Sequence, residues 1–104
     1  MERRILSRIL TLLFQIFLNR SCMYFTYILE CADTSLYVGS TNNLERRVSE
    51  HNTSSLGAHY TKIRRPVVLR YSETFETLSE ARKREAEIKK WTRKKKLVLI
   101  HTSE

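Results

Sequence analysis

Five side chains in this sequence are of types that move protons, grip anions or hold cations: Tyr27, Tyr37, Arg47, His51 and Glu85. Phenol, imidazole and carboxylate groups transfer protons, and a guanidinium matches an oxyanion with paired hydrogen bonds. They are densest around "YVGSTNNLERR", Tyr37 to Arg47, where a strand-like run meets a glycine, a polar turn and a helix carrying two adjacent arginines. A purely structural corner needs the glycine and a helix cap, but neither a tyrosine before nor an arginine after. Arg47 and His51, four residues apart, fall on one face of a helix. Each residue also has an ordinary reading: strand tyrosines belong to cores, Arg47 to a solvated helix face, and His51 to a surface or a cap.

Positioning these groups requires elements that the patterning supplies. "MYFTYILEC", Met23 to Cys31, is aromatic and β-branched and reads as a strand; "ADTS" is a turn and "LYVG" a second strand, forming a hairpin. An odd-numbered loop places Tyr27 and Tyr37 on one face of the sheet, and an even one separates them. "STNNLERRVSEH" reads as a helix that starts after Gly39, with Asn42 and Glu45 as a capping-box pair and Leu44 and Val48 as its apolar stripe. "NTSSLGAHYTKIRRP" reads as a loop, and "VVLRYSETF" as a third strand. A second capping box, Thr77 with Glu80, opens a helix whose apolar stripe is Leu78, Ala81, Ile88 and Trp91. Glu85 lies within about 50° of that stripe, as does Arg84. A carboxylate there must be paired, hydrogen-bonded or metal-bound; periodicity favours pairing with Arg84. "KKWTRKKKLVLIHTSE" predicts a short final helix with Leu97, Val98 and Ile100 packing back. The order strand, strand, helix, strand, helix, helix predicts an α/β (α+β) domain: a small three-stranded antiparallel sheet flanked by helices.

The chain has 104 residues, enough for one modest core, and its 19 Lys+Arg against 11 Asp+Glu leave a net charge of +8. So basic a small body favours polyanionic partners, nucleic acid before an anionic membrane. Cys22 and Cys31 have neither a C-x-x-C spacing nor a neighbouring histidine, which argues against zinc and for reduced thiols in a cytoplasmic setting. Residues 1–22 carry a basic start and an apolar run, Ile9 to Leu18, too short for a span that needs about 20 residues. They read as an extension outside the native protein, with Met23 as its start, or as a peripheral or partner-binding helix. Residues 23–104 form the functional domain on this reading.

The constellation resembles that of the GIY-YIG nucleases. Phe25-Thr26-Tyr27 corresponds to the first family motif and Tyr37-Val38-Gly39 to the second, with Arg47, His51 and Glu85 following in the family's order and spacing. The resemblance runs from Met23 to about Ile100 and is closest to the short, single-domain bacterial members. Phe25-Thr26 departs from Gly-Ile, Thr34 stands at a turn position where relatives often have glycine, implying a strained hairpin loop, and Ser40 replaces a basic residue of the repair-nuclease branch.

This resemblance implies a metal-dependent endonuclease acting on nucleic acid, DNA before RNA, with no small-molecule cofactor and no membrane partner. Glu85 would hold one Mg²⁺ or Mn²⁺ ion, since a hard cation accepts one carboxylate and keeps its waters. Tyr27 would be the general base, with a pKa lowered about 3 units by Arg47 and the ion. Tyr37 would position water or contact phosphate, Arg47 would brace non-bridging oxygens, and His51 would relay a proton or bind phosphate. Lys62, Arg64 and Arg65, with Lys89, Lys90, Arg93 and Lys94, would grip the backbone, and Tyr60 and Trp91 would stack on bases, with a place in the core as the favoured alternative for Trp91. A non-catalytic nucleic-acid-binding module on the same scaffold is the alternative.

Overall fold

The computed structural model describes residues 23–103; the reading of residues 1–22 falls outside them. Strands β1 (Tyr24–Glu30), β2 (Leu36–Thr41) and β3 (Val68–Phe75) form one antiparallel sheet in the order β2-β1-β3. The helices are α1 (Leu44–Thr53), α2 (His59–Lys62), α3 (Leu78–Lys89) and α4 (Arg93–Thr102). The predicted α+β architecture is thus observed. The short α2 lies inside the segment expected to be a loop. None of the described helices is long and apolar enough to cross a membrane.

The β1–β2 register decides where the tyrosines go. Glu30 pairs with Leu36, Leu29 with Tyr37 and Tyr27 with Gly39. Residues 31–35 form an odd-numbered loop, so Tyr27 and Tyr37 share a face. The loop is closed by Cys31 N–H donating to Ser35 O and by Asp33, whose carboxylate accepts from the Ser35 N–H and hydroxyl. Thr34 sits at φ 69°, the left-handed region where a Cβ is disfavoured, which is the strain expected from a threonine in place of glycine.

Strand β2 does not stop at Gly39 but continues through Ser40 and Thr41. Gly39 has no positive φ, so its role is not to turn the chain. It is a site of close approach: a Cβ there would lie 2.4 Å from Tyr27 Oη and 2.6 Å from its ring carbon Cζ. The hydroxyl end of the tyrosine ring lies over the glycine. Helix α1 begins two residues beyond the strand, capped by Asn43, whose side chain accepts from Arg46 N–H. The cap is therefore one residue later than expected, and Asn42 instead accepts from the Arg46 guanidinium.

Each face of the sheet carries its own core. On one, Tyr27, Leu29, Cys31 and Val67 are buried with Tyr37, Leu44 and Val48 of α1 against them. On the other, Ile28 and Val38 meet Ile88 and Ile100, with Tyr71, Trp91, Leu97 and Leu99 packed around. In α4 Leu97 and Ile100 pack back as expected, joined by Leu99, whereas Val98 is 54% exposed, which reverses the expectation for Val98. Thr77 caps α3 and bonds both the N–H and the carboxylate of Glu80, so that capping box forms as expected.

The last turn of α1 is anchored from a distance in sequence. Asn52 forms a two-way bond with the backbone of Val67. Arg65 donates to the carbonyls of Glu50, His51 and Ser54, filling acceptors that the helix end leaves open.

Two substitutions test this framework by urea unfolding. Gly39→Ala forces the Tyr27 ring off its seat and should cost about 1–3 kcal/mol. Arg65→Gln strips the α1 cap and should cost about 1–3 kcal/mol, whereas Lys62→Gln, at an exposed residue, should leave the midpoint unchanged.

Candidate active site

His51 closes the site over Tyr27. It is fully buried, contrary to the surface or capping alternative, and its ring lies edge-on to both Tyr27 and Tyr37. Tyr27 Oη is 2.9 Å from His51 Nε2, and His51 Nδ1 is 2.7 Å from Thr61 Oγ1. The proton positions follow from the end of this chain. Thr61 Oγ1 donates to the carbonyl of Ala58, which can only accept, so the threonine has no proton left for the imidazole. His51 Nδ1–H must donate to Thr61, which leaves Nε2 bare to accept the Tyr27 proton. The histidine is held as a neutral base aimed at the tyrosine hydroxyl.

The electrostatics agree. Burial, and secondarily the nearby Arg47 cation, push the His51 pKa down from 6.5 to about 4. Burial also pushes Tyr27 up to about 12, against the acidifying bond from Arg47; Tyr37 and Glu85 add smaller upward pushes. The expectation that Tyr27 would be acidified is thus not met in the free protein, because loss of solvent outweighs Arg47. Arg47 loses stabilisation of its cation by burial but gains more from Glu50 and Tyr27, so its pKa is raised. It donates through Nη1 to Glu50 Oε1 at 3.0 Å and to the Leu56 carbonyl at 2.9 Å.

Glu85 arrives from the opposite face of the sheet. Ser40, which follows Gly39, points toward α3 and donates to Glu85 Oε1 at 2.6 Å; Lys89 Nζ donates to Oε2 at 2.5 Å. Arg84, the partner expected for Glu85, instead pairs with Glu73 and Glu87. β2 is an edge strand, and Gly39, beside the Tyr27 hydroxyl, carries no side chain; Glu85 is near enough for its negative charge to add to the upward push on Tyr27. No cluster of three or more His, Cys, Asp or Glu ligands exists among the described residues. The donor set still fits a hard divalent ion, which needs one oriented carboxylate and takes its other oxygens from water and phosphate. A cation, the Lys89 ammonium, already sits against Oε2.

Tyr37 and Tyr60 stack at 6.0 Å between centroids, and the Arg64 guanidinium lies 3.9 Å over Tyr60. Arg64 is also bound to Asp33 and to the Tyr60 carbonyl. Among the cations expected to grip a backbone, Arg65 is committed to α1, Arg64 to this stack, and Arg93 donates to the Thr34 carbonyl. Lys62, Lys90 and Lys94 are exposed. The sequence reading missed Thr61, whose only signal was its place in a loop, and it noted Ser40 only as a departure.

Comparison with known proteins places this geometry in context. A family model described as the GIY-YIG catalytic domain matches residues 23–97. A UPF0213 protein from Desulfotalea psychrophila is 51% identical over 81 residues, covering 78% of this chain and 74% of that protein. One from Staphylococcus aureus is 56% identical over 77 residues, covering 74% and 93%. Among solved structures, the solution structure of a UPF0213 protein from Bacillus halodurans is similar with a TM-score of 0.50 and 39% identity, covering 77% of this chain and 84% of that one. That of a protein from E. faecalis gives 0.53 and 45% at the same coverage.

The buried neutral histidine makes a pH prediction. Its native pKa of about 4 lies below the ordinary 6.5, so the unfolded chain takes up a proton first as pH falls. Stability from this group is complete above about pH 6.5 and is lost toward pH 4, by up to roughly 3 kcal/mol. Urea midpoints at pH 7 and 4.5 should show this loss in the native chain and its absence in His51→Gln; an equal acid loss in both would refute the burial of a neutral imidazole.

Proposed function

The chain belongs to the GIY-YIG family, a nuclease family that acts on nucleic acid and generally uses a divalent metal ion, and we propose that it is itself a metal-dependent endonuclease, with DNA as its substrate. The observation that carries this reading is the one-way hydrogen-bond chain from Tyr27 through His51 and Thr61 to the Ala58 carbonyl.

Tyr27 works here as a proton conduit rather than a preformed tyrosinate. Ionising a phenol whose pKa is about 12 costs roughly 7 kcal/mol at neutral pH, too much for a useful resident base. Instead Tyr27 Oη accepts the proton of the attacking water as its own proton moves to His51 Nε2. The new imidazolium keeps its Nδ1–H bond to Thr61. The depressed basicity of His51 is relieved by substrate, because a phosphate bound at Arg47 neutralises the second cause of that depression and adds negative charge nearby. Arg47 braces the non-bridging oxygens with the part of its guanidinium that faces Tyr27. Tyr37, packed between His51 and Tyr60, orients the water or the phosphate.

Glu85 would hold the ion, Mg²⁺ or Mn²⁺, with Ser40 orienting its carboxylate. When bound, the ion would supply Lewis-acid stabilisation of charge developing on the phosphate and leaving oxygen. Lys62, Lys90 and Lys94 supply exposed positive charge for the backbone, each neutralised phosphate adding about −0.9 to the salt slope on duplex DNA.

The test is a cleavage panel with plasmid and single-stranded DNA, with and without Mg²⁺ or Mn²⁺. Cleavage should require the ion and disappear in Glu85→Ala, and Tyr27→Phe should lower the rate by at least about 10²-fold. Salt-sensitive binding with no cleavage, unaffected by Tyr27→Phe, would identify the non-catalytic module instead.

A further inference from the structure

Lys89 has two roles to choose between. It lies in the last turn of α3, at the start of the run in which six of the eight residues from 89 to 96 are basic, yet its ammonium is turned onto Glu85 Oε2. The pair differs from the other ion pairs of α3. Arg84 holds Glu73 through Nε to both carboxylate oxygens, at 2.9 and 3.2 Å, and Glu87 through Nη1, a planar network with three anchored contacts. Lys89 is a single point charge on a flexible stem, with its side chain 51% exposed, against a carboxylate only 19% exposed. Ser40 fixes the other oxygen of that carboxylate, so Glu85 stays in place if the lysine leaves.

We propose that Lys89 is an exchangeable counter-ion: it neutralises Glu85 in the free protein, is displaced when a divalent ion binds there, and then contacts a phosphate of the nucleic acid. The proposal rests on the reading of Glu85 as the seat of the ion. Its physical basis is competition for one oxygen. Two cations cannot both occupy Oε2, and a divalent ion beside the ammonium repels it. The displaced lysine is already half exposed and is followed in the chain by the exposed Lys90, so it moves from one anion to another without becoming buried. Metal and nucleic acid are then linked: each binds better in the presence of the other, through the same side chain.

The full chain tests this with Mn²⁺ followed by electron paramagnetic resonance of the free ion, without nucleic acid. Lys89→Met should bind Mn²⁺ about two- to fivefold more tightly than the native chain, the range expected for releasing an exposed ion pair, while Lys89→Arg, which keeps the counter-charge, should not. The second readout is the salt slope of DNA binding in a Tyr27→Phe background. Without metal, slopes with Lys89 and with Lys89→Met should coincide; at saturating Mn²⁺ the lysine-containing chain should be steeper by about one. If Glu85→Gln abolishes Mn²⁺ binding but Lys89→Met leaves the affinity unchanged, or the two slopes coincide with metal as well, the exchange is overturned and the assignment of Glu85 stands. If Glu85→Gln binds Mn²⁺ as well as the native chain, that assignment itself falls.

Discussion

A phenol pressed onto a glycine governs the rest of this molecule. Tyr27 lies across Gly39 of the neighbouring strand, so close that a Cβ there would lie 2.4 Å from its hydroxyl oxygen. That contact sends the hydroxyl outward along the face of the sheet toward α1, where a buried imidazole receives it. Removing water from both groups is unfavourable for their charged forms, and so the pair is held neutral and hydrogen-bonded rather than as tyrosinate and imidazolium. Around this pair the structure supplies what it requires: Thr61 to set the imidazole's tautomer, and Arg65 and Asn52 to hold the helix that carries it.

The candidate residues come from opposite faces of the sheet. Tyr27, Tyr37, Arg47 and His51 belong to the face covered by α1; Glu85 belongs to the face covered by α3 and is reached through Ser40. β2, which carries both Gly39 and Ser40, is an edge strand with no further strand beyond it. The absence of a side chain at Gly39 seats the tyrosine. The cations divide in a similar way. Arg65 and Arg84, with their planar forks, are committed to carbonyls and carboxylates of the protein, and the exposed lysines add to the field that a polyanion would meet.

Much of this was legible before any coordinates. Alternation and turn residues predicted three strands, Thr77 with Glu80 marked the start of α3, and the parity of the hairpin loop reduced the placement of the two tyrosines to one question. The expectation of strain at Thr34 came from the family resemblance, which sets a threonine where relatives often have a turn glycine. The strands, the cap and the loop parity are local properties, set by residues within a few positions of one another. The same local logic misjudged Gly39 as a turn residue, placed the α1 cap on Asn42 and paired Glu85 with Arg84. In each instance a distant partner decided otherwise: the Tyr27 ring, the continuation of β2, and Glu73 on β3.

The sequence by itself determined the strands and the three longer helices, their order, the excess of basic charge and the identity of the reactive groups, because backbone preference, amphipathic period and charge act over short stretches of chain. Only the tertiary structure decided the proton inventory of the site. Whether His51 is a base or a cation, whether Tyr27 is acidified or not, and which cations remain exposed all depend on groups 10 to 45 residues apart along the chain. Those answers follow from lost solvent and from hydrogen-bond directions, and neither exists until the chain has packed.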